Sequence, residues 1–490
     1  VALLAVETEA SDAAELLEAA LRRSLRARGI APEGAVKNMQ IPALPRTDTG
    51  KIRRVALREA HLTAEAQAVS APSYDAIPDA ARDADWGDRL AARGQALIAQ
   101  LRPARPAPPP GVGAAQVAFD RHFPGRAPDD AATFVDLGGD SLTYLSMALD
   151  LEAALGALPE RWERLSPAEI DRRATTAPSA FLRLDMATFL RGLAIFLVVS
   201  GHFRFIEYGG GAALFLLVIA GYNFATFQMP ELAAGVGPAP ILRLIVRVAA
   251  PVLAYLALLH FSGVIPIATE AFLLHSNFIS PNMGGGYWYV EVYVQIMLLL
   301  AIAFAFAAPR RALTRNPFRF AMIFALGSIA LYAAGQAIWD THYLYRRLPH
   351  ALLWLFAIGV AVHFADRTSR RMLVTGAAAL GIVAFAEGMP EPGFIPLGLL
   401  LPIWVPSFAT PGWIKRPVQT VAGASLFIYL THFQMRSAIE KIAEPGPGLA
   451  VILAVIGGVI LWRIYDTAVT RAAALLSFRS VASSKKKHVA

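Results

Sequence analysis

From residue 187 to about residue 470 the sequence is a series of apolar blocks bounded by Gly, Pro or charged residues. A hydrocarbon core about 30 Å thick needs about 20 apolar residues in helical form to cross it. By that measure about ten spans are predicted, near 187–205, 211–229, 241–262, 287–308, 318–338, 347–365, 372–387, 393–408, 418–436 and 448–470. Upstream the pattern is that of a soluble protein. Val1 to Val6 is a short apolar run that reads as a strand. Leu16, Leu17, Ala20, Leu21 and Leu25 recur at helical spacing between Ser11 or Asp12, either of which can cap the helix, and Gly29, which ends it. Residues 63–84 have weak periodicity, 86–101 fit a short helix, and Pro103 to Pro110 form an extended polyproline spacer. Val112 to Phe123 and a stretch from Ser141 through Leu155 fit two helices, with Gly138 and Gly139 making a tight turn before the second.

The predicted fold class is therefore mainly α: a polytopic membrane domain of about ten transmembrane helices, preceded by a small helical domain and a short α/β segment. The expected divisions are 1–62, a linker over 63–110 that is Pro-rich at its end, a helical domain over 111–177, the membrane domain over 181–475 and a basic tail over 476–490. Residue 1 is not Met and lies inside a folded pattern, so a fragment of a longer protein is expected.

Composition supports this division. The chain is 56% hydrophobic and only 17% charged, with mean hydropathy +0.46. It contains no cysteine, which removes disulfides, thiolate metal sites and a cysteine nucleophile, so any thiol must arrive on a prosthetic group. The net charge of +8 is not a nucleic-acid signal, because much of it lies in loops flanking the apolar blocks. Alternate loops differ: one set carries Arg243, Arg247, Arg310, Arg311, Arg315, Arg319, Arg367, Arg370, Arg371, Lys415, Arg416 and Lys485 to Lys487, and the other has fewer basic residues. The positive-inside rule then places a multi-pass protein in the cell inner (plasma) membrane with both termini in the cytoplasm.

Ionisable groups inside apolar blocks mark candidate chemistry, because charge at membrane depth is costly. Arg191 and His202 lie in the first block, eleven residues apart. On a helix that separation is three turns plus about 20°, so the two project from one face about 16 Å apart along the axis. Glu291 opens the fourth block within Tyr287-Trp-Tyr-Val-Glu291, Arg243 and Arg247 open the third, and His432 ends Gly423-Ala-Ser-Leu-Phe-Ile-Tyr-Leu-Thr-His432, which is expected to run through the ninth. Each has a plainer reading. Arg191 can snorkel to the interface, Glu291 and His432 can be internal hydrogen-bond partners, and Tyr287 can belong to an interfacial belt. Together they resemble the membrane acyltransferase-3 family: Arg191 and His202 match its Arg-x10-His pattern, Trp288 and Glu291 its Trp-x-x-Glu, and Ser425, Tyr429, Leu430 and His432 its late Ser-x3-Tyr-Leu-x-His. In the family's apolar run ending Ser-Gly-Tyr, Ala220 stands in place of the serine. The resemblance implies transfer of an acyl group from a thioester to a sugar, lipid or peptidoglycan-type acceptor, with no metal.

Two soluble motifs point the same way. Ile41-Pro-Ala-Leu-Pro-Arg-Thr-Asp-Thr-Gly-Lys-Ile-Arg-Arg54 resembles the end of adenylate-forming enzymes, the acyl-CoA synthetases and peptide-synthetase adenylation domains. That resemblance implies that Lys51 contacts carboxylate and phosphate during acyl-adenylate formation, with ATP and Mg used only together with the adenylation body that this chain does not contain. Phe134-Val-Asp-Leu-Gly-Gly-Asp-Ser-Leu142 puts Ser141 at a helix N-terminus, where it can serve as the N-cap and where the dipole favours a phosphodiester. The string resembles the attachment site of acyl and peptidyl carrier proteins. It implies 4′-phosphopantetheine on Ser141, flanked by Asp140 and Leu142, installed by a phosphopantetheinyl transferase.

The combined expectation is a membrane acyltransferase that moves an acyl or aminoacyl group from a fused carrier to a hydroxyl or amine of a carbohydrate, lipid or peptide. Arg191, with Arg243 and Arg247, would bind the arm's phosphate. His202 would be the general base, Glu291 would orient it, and His432 is a further candidate. A transporter or flippase with a carrier-like appendage is the alternative, and a membrane anchor for a carrier is a third reading. Partners under the first reading are the bilayer, the transferase that installs the arm, the donor and the acceptor.

Overall fold

A computed structural model describes residues 2–7, 36–41, 112–124, 131–174, 181–206, 211–264, 287–338, 347–386, 394–442 and 446–487. The chain divides into two compact units, residues 1–103 and 104–490. In the first, β1 (Ala2–Glu7) pairs with β2 (Val36–Ile41) in parallel, with Ala2 opposite Val36 and Glu7 opposite Ile41. The expected first strand is present one residue later than read, and its partner was not foreseen. The expected helix over 11–28, Lys51 and the linker lie outside the described residues.

The second unit opens with α1 (Ala114–His122), α2 (Ser141–Leu155) and α3 (Pro167–Arg173). Strand β3 (Phe181–Asp185) leads into α4 (Met186–His202), α5 (Ala212–Phe227), α6 (Met229–Ala233) and α7 (Ala239–Phe261). Then follow α8 (Trp288–Ala305), α9 (Ala307–Arg315), α10 (Pro317–Ile338), α11 (Pro349–His363), α12 (Thr368–Ala386) and α13 (Ile395–Trp404). Strand β4 (Ser407–Pro411), α14 (Gly412–Gly423), α15 (Ser425–Ile442) and α16 (Pro447–Lys487) complete it. The described residues are mainly helical, with 16 α-helices. Four of these, α7, α8, α10 and the Pro447–Ala472 part of α16, are long and apolar enough to cross a membrane, while α4, α5, α11 and α13 are shorter apolar helices. By length and composition, the four long apolar helices suggest a multi-pass membrane protein.

Two expectations need correction. The block over 418–436 is not one helix: α14 ends at Gly423 and α15 starts at Ser425, so Ala424 is a break and Ser425 heads a new helix. The block over 393–408 stops at Trp404 because its end is recruited as β4, which pairs antiparallel with β3, Phe181 opposite Pro411 and Asp185 opposite Ser407. The basic tail continues α16 as helix to Lys487.

The helices are held by close approach. A Cβ added to Gly221 on α5 would lie 1.9 Å from the Phe356 carbonyl oxygen on α11, and one on Gly359 would lie 1.9 Å from that of Val218. The two backbones pack at a distance only glycine permits, the small-residue device by which apolar helices associate. Gly359→Val is therefore expected to cost up to about 3 kcal/mol, since backbone cannot move aside as a side chain does. Gly327→Val on α10, which meets nothing within 4 Å, is expected to stay within about 0.5 kcal/mol. Thermal unfolding of the two variants in detergent checks this; equal melting would overturn it.

The domain of α1–α3 has its own core of Phe119, Phe123, Phe134, Met147, Leu151, Trp162 and Ile170. Phe227, the last residue of α5, belongs to that core. Its ring lies 5.9 Å from Phe134 and 5.4 Å from Tyr144. The membrane-type helices thus complete the small domain, and the expected boundary near residue 177 is crossed by packing.

Candidate active site

The loop before α2 explains the paired glycines. Gly138 has φ 73, open to glycine at no steric cost. A Cβ on Gly139 would lie 2.2 Å from the Phe134 ring. Asp140, not Ser141, is the N-cap: its Oδ1 accepts from the amides of Leu142 at 3.1 Å and Thr143 at 3.0 Å. Its Oδ2 accepts from Arg247 at 2.6 Å, and the same Arg247 nitrogen donates to Thr143 Oγ1 at 2.9 Å. Ser141 is thereby the first residue of the helix, released from capping. Burial pushes the nearby Tyr144 phenol well above its ordinary value, so it is neutral and acts through packing.

Ser141 faces α4. Arg191 donates through one terminal nitrogen to the Ser141 carbonyl at 3.3 Å and through Nε to Ser425 Oγ at 2.8 Å. The break at Ala424 matters here, because it places Ser425 at the start of α15 and within reach of Arg191. Ser141, Leu142 and Arg191 line a cavity that is partly open to solvent. Its walls are Ile195, Leu216, Ile219, Ala220, Phe224, Leu244, Val248, Val290 and Leu426, with polar groups from Asn223, Gln228, Tyr289, Tyr293, Ser425 and Tyr429. A second cavity shares Ser141 and Arg191 and is more polar, lined among others by Glu160, Arg161, Arg183, Asp185 and Thr188.

Tyr429 leads from the first cavity to the histidines. Its ring centroid lies 6.0 Å from that of His432, one turn on. His432 is fully buried. Its Nδ1 lies 2.7 Å from the Tyr429 carbonyl oxygen, and its Nε2 lies 2.8 Å from His202 Nδ1. The ring planes are nearly parallel, 8° apart, with centroids separated by 4.9 Å. His202 is the last residue of α4 and is exposed on the protein surface. Arg436 donates to the His202 carbonyl at 2.7 Å.

The expected residues thus form two groups along α4. Ser141, Leu142 and Arg191 gather at the cavity, with Asp140 and Arg247 directly behind; His202 and His432 pair at the far end. Glu291 is buried in the first turn of α8 and does not line the cavity, whereas Tyr289, Val290 and Tyr293 do. Arg243 pairs with Glu231. Tyr287 is not an interfacial belt residue: it is buried and donates to the Leu430 carbonyl at 3.3 Å, while Gln434 donates to Tyr287 Oη and accepts from Tyr255 at 3.0 Å. Gln434 was missed, although a glutamine two residues after His432 in an apolar block was a signal of the same kind. Among the described residues no group of three His, Asp or Glu side chains could hold a metal ion.

The small domain is fastened beside this site by a buried ion pair. Lys415 Nζ on α14 lies 2.6 Å from Glu152 Oε1 on α2, and Gln419 donates to the same oxygen at 3.2 Å. Ser146 donates to Asp466 on α16 at 3.2 Å.

Comparison of the chain with protein-family models, with curated proteins and with solved structures gave no match.

Proposed function

We propose that this protein is a membrane acyltransferase whose small helical domain is an acyl or aminoacyl carrier. The observation that carries the proposal is the placement of Ser141: first residue of a helix, on the wall of a cavity, beside Arg191 and one residue from a capping aspartate held by Arg247. A 4′-phosphopantetheine arm fits this setting, because a helix N-terminus and two guanidinium groups favour a phosphodiester. When bound, the arm supplies the thiol that the chain lacks and holds the acyl group as a thioester.

In this reading Arg191 and Arg247 would hold the phosphate end, beside the cavity that Ser141 and Tyr429 both line. His202 takes the proton from the acceptor's hydroxyl or amine as the new C–O or C–N bond forms and the C–S bond breaks. It then returns that proton to the departing sulfur. Ten membrane crossings, with both termini and the carrier in the cytoplasm, would let donor and acceptor enter from opposite sides. Lys51 and the strand pair would be the end of an adenylating enzyme whose body loads the carrier with ATP and Mg.

The test is intact mass spectrometry of the 490-residue chain coexpressed with a phosphopantetheinyl transferase, beside Ser141→Ala. A prosthetic-group mass on the first and not on the second is expected, and any further adduct identifies the cargo. Absence of the mass on both would remove the carrier and leave a transporter as the better reading.

A further inference from the structure

His432 has no access to solvent, and its two ring nitrogens have different partners. Nδ1 meets a backbone carbonyl oxygen, which can only accept, so Nδ1 carries a proton. A second proton, on Nε2, would bury a charged ring whose partners are neutral backbone groups of Tyr429 and Ile428 and one neutral ring, an arrangement that burial makes costly. Nε2 is therefore the acceptor, and the proton in the 2.8 Å contact belongs to His202 Nδ1. A neutral His202 with hydrogen on Nδ1 has its lone pair on Nε2. The hydrogen bond between nearly parallel rings, 8° apart, fixes the plane in which that lone pair points.

Given the acyl-transfer role proposed above, we infer that His432 is the positioning residue for the base. It locks His202 in the tautomer whose Nε2 can accept a proton, the task that sequence reading assigned to Glu291. His202 Nδ1 donates to His432 Nε2 and His432 Nδ1 donates to the Tyr429 carbonyl, a directed chain that leaves the lone pair on His202 Nε2. When Nε2 takes the acceptor's proton, the imidazolium keeps its Nδ1–H bond to His432 Nε2, so the charge forms without any group turning. The proton is passed on to the sulfur as the C–S bond breaks, and His202 returns to its starting tautomer. His432 gains and loses no proton in the cycle.

The test reads the tautomer and the transfer separately. Nitrogen chemical shifts of the detergent-solubilised chain, labelled at histidine and assigned by difference with His202→Ala, report which His202 nitrogen is bare. The expected result is a bare Nε2 and a protonated Nδ1 in the wild type, kept in His432→Gln and lost in His432→Phe. Glutamine can still donate to Tyr429 and accept from His202; phenylalanine keeps the ring and does neither. Transfer from the loaded carrier should fall about 10²-fold in His432→Phe, the lower end of what positioned proton transfer contributes, and be largely retained in His432→Gln. A protonated Nε2 in the wild type, or equal transfer in the two variants, would overturn the inference. A wild-type chain with the expected tautomer that transfers nothing would instead sink the acyltransferase reading and leave the histidine geometry standing.

Discussion

His202→Ala should reduce acyl transfer from a loaded carrier by about 10²–10⁴-fold, the contribution of a positioned general base, while leaving the protein folded and inserted. The first half follows from the pairing with His432, which leaves one nitrogen of His202 to face a substrate. The second follows from exposure: His202 is the last residue of α4 and lies on the surface of the protein, so its truncation creates no cavity in the core. The measurement is loss of the acyl mass from the carrier in the presence of acceptor, for wild type and variant loaded to the same extent. Full transfer by His202→Ala would mean that a strong nucleophile attacks the thioester unaided, and His202 would not be the base. Loss of transfer with normal insertion would also separate catalysis from anchoring, since an anchor has no use for an imidazole.

Lys415→Met should weaken attachment of the small domain to the helices by about 3–5 kcal/mol, the usual result of leaving one member of a buried ion pair alone. Both members are nearly inaccessible, with side chains 9% and 5% exposed. Glu152 has a second carboxylate oxygen that is buried with no hydrogen-bond partner, so Gln419 alone would be left to satisfy the buried charge. The paired change Lys415→Met with Glu152→Met should recover most of the loss, because two apolar chains of similar length can replace a buried pair at little net cost. Arg247 and Asp140 form a contrasting pair. The arginine side chain is 42% exposed, and solvent screening reduces such a pair to about 0–1 kcal/mol. Docking can be read through the contact between Ser146 and Asp466. The chain has no cysteine of its own, so the rate of disulfide formation between Ser146→Cys and Asp466→Cys reports how long the two surfaces stay together. An unchanged rate in Lys415→Met would mean that the aromatic packing of Phe227 holds the domain by itself.

Docking bears on the proposed cycle. The polyproline spacer suggests a domain that swings, yet α2 is fastened by an ion pair, the Ser146–Asp466 contact and the insertion of Phe227 into its core. With Ser141 beside Arg191, this arrangement is the one in which a carrier would deliver its cargo.

Much of this was legible in the sequence. Helices were readable because a chain in an apolar solvent must satisfy its backbone polar groups locally, so apolar blocks can hardly be anything else. Each of the ten blocks contains helix, most with ends shifted by a few residues, though the ninth is split at Ala424 and the last helix runs on to Lys487. The start of α2 was readable because two glycines specify a turn before a polar capping residue, although the cap is Asp140 and not Ser141 as read. Arg191, His202 and His432 were readable as candidates because charge and imidazole are rare in such blocks. What the sequence could not rank was partnership. His202 and His432 are separated by 230 positions, and Lys415 and Glu152 by 263. Which helix faces meet depends on the angles at which ridges and glycine gaps interlock, and local periodicity carries no such information. The same limit hid the pairing of β3 with β4, the break at Ala424 that delivers Ser425 to Arg191, and the entry of Phe227 into another domain's core. Sequence alone determined that this protein is mainly helical, rich in apolar spans and equipped with a few costly polar residues. Tertiary structure decided which of those residues meet, because contact between distant helices is a property of their packing and not of either segment.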